Sequence, residues 1–137
     1  MKKWNDTYDA TYTTQVGNDY PHLRYSDVVL MYAEALAQQN KVAEACPYLN
    51  QTRTRAGLDE YTTTDKAAFI RELAAERGRE FALEGQRWFD LVRLGIALEF
   101  FQGMGYKITE HNMIFPIPNA EIEIVNNPKI LWQNPGY

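Results

Sequence analysis

The sequence predicts a mainly α-helical fold of tetratricopeptide-like helical hairpins, followed by a long irregular proline-rich C-terminal tail. Three observations predict it. Through the middle of the chain, apolar residues recur at i, i+3, i+4 and i+7, the period of a helix with a buried face. All eight arginines fall between Arg24 and Arg93. Four of the six prolines fall in the last 22 residues, so helix-compatible composition stops near Gly103. The chain then reads as a single domain in three parts: an aromatic, threonine-rich leader (1–21), a helical region (22–102) and an irregular tail (103–137).

The first helix covers Tyr25 to Ala37. At about 100° per residue, Val28, Val29, Tyr32, Ala35 and Leu36 share one side and Leu30, Ala33 and Ala37 another, which leaves Asp27, Glu34 and Gln38 for water. Asn40-Lys41 breaks the run. A second helix extends from about Val42 to Ala56, with Ala45, Leu49 and Thr52 inward and Gly57 as its left-handed cap. A third starts after Thr64 or Asp65, good N-cap residues, and carries Phe69, Ile70, Leu73 and Phe81. Gly85 kinks or ends it before a further helical stretch from Arg87 to Phe100. Beyond Gly103, Pro116 and Pro118 force their neighbours into extended backbone, and a short helical turn fits Asn119 to Val125. Two antiparallel helical pairs follow, with the tail pinned to them through Phe115, Ile117 and Trp132.

Composition narrows the function. With 45% hydrophobic residues, 23% charged residues and 137 positions, the chain can bury one core without metals or disulfides. A net charge of −4, with no basic run beyond Lys2-Lys3, argues against nucleic-acid binding. The longest apolar stretch, Val28 to Ala33, is far too short to cross a membrane. The one cysteine, Cys46, reads as a small buried hydrophobe.

Glu76, Glu80 and Glu84 are spaced i, i+4 and i+8, so their carboxylates align along one helix face. Such a row suits a metal site or a glycosidase pair, yet neither His22 nor His111 follows a glutamate by three, and no facing acid is evident. The row shares its side with Phe69, Ile70, Leu73 and Trp88 and is flanked by Arg77 and Arg87. It is therefore expected to be a structural ion-pair network of Glu76, Arg77, Glu80, Glu84 and Arg87 turned toward the core, with Arg79 on the opposite side. No phosphate loop, metal-ligand spacing or nucleophile elbow occurs, so neither a cofactor nor enzymatic activity is expected. Trp4, Tyr8 and Tyr12 could stack on sugar rings or pack in a core or interface. Tyr25, Val28 and Tyr32 carry the spacing of large residues in a tetratricopeptide helix, but one such unit cannot cover both its faces.

Four ordered segments resemble a known family. Leu23 to Leu36 (LRYSDVVLMYAEAL), Leu49 to Leu58 (LNQTRTRAGL), Glu76 to Arg93 (ERGREFALEGQRWFDLVR) and the closure from Phe115-Pro116-Ile117-Pro118 to Gln133-Asn134-Pro135-Gly136-Tyr137 are similar to the C-terminal region of the SusD/RagB family. The resemblance implies a C-terminal fragment of a longer lipoprotein on the outer face of a Bacteroidetes outer membrane. Its lipid anchor would belong to the absent N-terminal part. It also implies a non-catalytic scaffold role in capturing a glycan nutrient, or in some members a peptide, for delivery to a SusC-like TonB-dependent transporter. The matched motifs are architectural in that family, so the resemblance transfers no ligand-binding residue. The alternative from the residues alone is a tetratricopeptide-like module that grips peptides or partner proteins in a helical groove.

Overall fold

The computed structural model describes residues 22–137. Among these the regular structure is entirely helical: α1 (Tyr25–Gln38), α2 (Val42–Arg55), α3 (Lys66–Glu80), α4 (Arg87–Arg93), α5 (Ala97–Gly103), a 3-10 turn (Glu110–Met113) and α6 (Asn119–Val125).

Four of the helices stop for a shared reason. Asn40, Gly57, Gly95 and Gly105 each adopt a left-handed conformation just past a helix end. In every case the following amide turns back to a carbonyl of the last turn, as in Lys41 to Leu36 at 2.9 Å and Ile96 to Leu91 at 3.0 Å. The second of these corrects the single stretch expected from Arg87 to Phe100. Gly95, at φ +71°, ends α4 there, and α5 starts anew two residues later. Asp65 caps α3 by accepting from the Ala68 amide at 2.9 Å.

The three-residue link between α1 and α2 makes them an antiparallel hairpin. Leu30, Ala33 and Ala37 of α1 meet Val42, Ala45, Cys46 and Leu49 of α2, and α3 adds Phe69, Ile70 and Leu73 to the same core. The small side chains of Ala33, Ala37 and Ala45 are fully enclosed. The α2–α3 loop is tied down by Asn50, whose side-chain amide exchanges hydrogen bonds with the Tyr61 backbone at 2.9 and 3.1 Å. α4 then packs on α3 and α5 on α4. The result is a three-helix cluster with two short helices appended, in place of two matched pairs. The expected two-sided packing of α1 is also revised, because Val28 and Tyr32 lie exposed while Asp27 is buried.

The tail departs furthest from expectation. Phe115 and Trp132 are 73% and 63% exposed, so neither pins it. Ile117 is half-buried, and its backbone is what is held. The Gln133 side chain accepts from the Ile117 amide and donates to the Ile117 carbonyl, both at 2.8 Å. Asn134 Nδ2 donates to the Phe115 carbonyl at 2.7 Å, and Tyr137 Oη to the Ile114 carbonyl at 2.9 Å. Pro116 and Pro118 lack amide protons, which leaves Ile117 as the donor between them; the glutamine side chain substitutes for a neighbouring strand.

Candidate functional site

The charged groups along α3 form three clusters, which between them tie α3 to the start of α1, to α2 and to α4. In the first, Arg24, just ahead of α1, donates through Nη1 to Glu80 Oε1 at 2.9 Å and through Nη2 to Glu84 Oε1 at 2.9 Å. Arg55, from the last turn of α2, binds the other oxygen of Glu80. Burial opposes ionisation of Glu80, but the hydrogen bonds from Arg55 and Arg24 outweigh it and hold its carboxyl below the usual value.

In the second, Arg77 is itself buried and donates to Asp27 of α1 and Asp90 of α4, both at 2.8 Å, and to Gln86 at 3.0 Å. Arg24 and Arg77 each place a guanidinium 4.9 Å from the centre of the Phe81 ring. In the third, Glu76, only 2% exposed, accepts from Arg79 at 2.8 Å, while Glu72 pairs with both Arg79 and Arg53.

The structure thus places Glu76, Arg77, Glu80 and Glu84 in the buried interior, but not in one network, and it changes their partners. Arg77 serves aspartates on α1 and α4, not the glutamate row. Arg87 makes no ion pair among the described residues; it donates to the Ala74 carbonyl and lies over Phe100, 4.4 Å from the ring centre. Arg79 is the opposite surprise. Its side chain is 47% exposed, yet its guanidinium curls back onto buried Glu76. A helical wheel gives the direction of Cβ, and a long arginine stem reaches well beyond that direction.

Single-helix reasoning also missed Arg24, Arg53, Arg55, Asp27 and Asp90. The available signal was the confinement of all arginines to 24–93, which matches the span of the buried acids. Which arginine meets which acid depends on helix packing that spacing within one helix does not encode.

Chemically, the arrangement fastens helices together. Each carboxylate of the row faces a guanidinium. Among the described residues no group of three or more His, Cys, Asp or Glu side chains is placed to hold a metal ion. No helix there is long and apolar enough to cross a membrane. Cys46 is buried, with its thiol directed at the Val42 carbonyl 3.3 Å away. Trp4, Tyr8 and Tyr12, and the leader as a whole, lie outside the described residues.

Comparison with known proteins places this arrangement. The model of the SusD family matches residues 1–114. The starch-binding protein SusD of Bacteroides thetaiotaomicron is 31% identical across 98% of this chain and 25% of its own length. A SusD-like protein of Formosa agariphila is 31% identical across 99% of this chain and 28% of its own. Among solved structures, a SusD superfamily protein of Bacteroides vulgatus superposes with a TM-score of 0.68 at 30% identity, covering 84% of this chain and 27% of that one. The chain therefore spans about a quarter of the length of the curated relatives it matches. With a matched family model over most of its residues and the same helical arrangement in a solved relative, the chain belongs to the SusD family.

Proposed function

We propose that this chain is the non-catalytic helical scaffold of a cell-surface glycan-binding protein. That protein would sit on the external face of the outer membrane through a lipid anchor outside this sequence and pass its ligand to a SusC-like TonB-dependent transporter. The observation that carries the reading is the relationship to a starch-binding protein along nearly the whole chain. The charge clusters support it from the physical side. Arg77, Glu80 and Glu84 spend their hydrogen bonds on groups from other elements and Glu76 accepts from Arg79 on its own helix, which suits a structural role for these four residues.

Two measurements on the chain test the reading. Tagged protein incubated with solubilised outer membranes of a Bacteroides species is expected to retain a TonB-dependent barrel, and incubation with starch is expected to release no reducing ends. Failure to retain any such transporter, or steady release of reducing sugar, would overturn it.

A further inference from the structure

Between α3 and α5 lies a cleft of about 220 Å³ bordered by Arg71, Ala74, Ala75, Arg87, Ile96 and Phe100. Its volume is below the usual range for whole drug-sized ligands, which fits a subsite for one ring. Its chemistry centres on Arg87. Every other arginine described here has a carboxylate partner within ion-pair distance. Arg87 has none among the described residues. It gives Nη1 to the Ala74 carbonyl and one face to Phe100.

The guanidinium also has a fitted seat. A Cβ at Gly78 would come within 2.8 Å of Nη1, so the missing side chain is what lets the group lie against α3. Burial pushes the Arg87 guanidinium below its usual value, with Asp90 opposing that shift and Arg79 adding to it. Nε and Nη2 make no hydrogen bond to the described residues, and neither is sealed from solvent. A partly desolvated cation with unused, accessible donors in an apolar cleft is a site for an oxyanion. Arg71 supplies a second guanidinium at the rim, where Glu99 occupies it at 3.1 Å.

We propose that the α3–α5 cleft is a subsite for the carboxylate or sulfate group of an acidic sugar, with Arg87 as its anchor and the Arg71–Glu99 pair as a competitor at the rim. This deepens the glycan-capture reading and rests on it. Glu99 would share Arg71 with the incoming anion, so removing its charge should strengthen binding. A structural surface pair would not behave that way.

Titration of the isotopically labelled chain with glucuronate, glucose 6-sulfate and glucose, followed by nuclear magnetic resonance, tests the proposal. The Arg87 Nε–H signal should move with at least one of the two anions at concentrations at least tenfold below any response to glucose, and the arm that responds identifies the oxyanion. Glu99→Gln should tighten that binding about threefold or more, and Arg71→Gln should weaken it. Both positions are well exposed, so both variants should fold. An Arg87 signal indifferent to both anions, or equally responsive to glucose, would overturn the subsite, as would unchanged affinity in Glu99→Gln. Transporter retention by the same preparation would show that the broader reading stands when the subsite fails.

Discussion

From Tyr25 to Glu80 the chain encloses a continuous core of leucine, alanine and phenylalanine side chains, whereas no residue from Gly103 to Tyr137 is buried. The two regions also use their polar groups differently. In the helical cluster, arginines and acids from separate helices meet at close to 3 Å in the interior. In the tail, the side-chain amides of Gln133 and Asn134 hold backbone groups near the surface. The contrast teaches that a proline-rich segment can be shaped by a few side-chain-to-backbone hydrogen bonds without burying its aromatics. Such bonds contribute about 1 kcal/mol each, whereas burying a leucine side chain contributes about 2 kcal/mol and can be repeated many times. The helices should therefore set global stability, and the tail should open on its own.

The strongest test removes the cation on which three helices converge. Arg77→Met leaves buried Asp27 without its ion-pair partner and Asp90 with only the half-exposed Arg93, and breaking a buried pair typically costs about 3 to 5 kcal/mol. Urea denaturation should show the midpoint falling accordingly. A change below about 1 kcal/mol would mean that solvent reaches these aspartates and that the interior of the cluster is no drier than the tail.

Arg79→Met should cost less, about 1 to 3 kcal/mol, the range for leaving a buried acceptor short of its hydrogen bond. Arg53 stays 3.9 Å from Glu76 and supplies part of the compensation. The sequence points the other way, placing Arg79 on the outer side and making this substitution nearly silent. The same denaturation experiment distinguishes the two, since an unchanged midpoint would show that the exposed part of the side chain governs its energetics.

Those two arginines also mark where the sequence was legible. Helix positions followed from apolar spacing and cap residues, so α1, α2 and the start of α3 could be read directly, with Asn40, Gly57 and Asp65 as punctuation. The inward direction of Glu76, Glu80 and Glu84 could be read as well, because the row coincides with Phe69 and Leu73 on one face. Their partners could not. Arg24 and Glu84 are 60 positions apart, and Asp27 and Arg77 are 50 apart. Contacts of that kind depend on how helices pack, not on their period. The tail failed for a different reason: aromatic residues suggested burial, while the groups that shape it are amides, which carry no periodicity.

Acid provides a milder perturbation of the same clusters. The folded-state value of Glu80 is depressed, so its contribution is complete above the unfolded value of about 4.3 and is lost as pH falls through the folded value. Unfolding midpoints measured between neutral pH and mildly acidic conditions should drop only below that point, and Glu80→Gln should flatten the dependence. A decline that starts near pH 6 would have to come from other groups.

The smallest global effect should come from the tail, and it tests the comparison most directly. Gln133→Ala removes the two bonds that enclose Ile117 between its prolines, together with an acceptor for the Asn134 amide. At about 0.5 to 1.5 kcal/mol per bond the loss is local, because the bonded groups lie near the surface and release no core. Hydrogen exchange should accelerate at the Ile117 amide while Leu30, Leu49 and Leu73, fully enclosed in the helical cluster, keep their protection. Equal acceleration at all four positions would mean that helices and tail open as one cooperative unit. The amide clasp would then be coupled to the core, and the different bonding of the two regions would not make them independent.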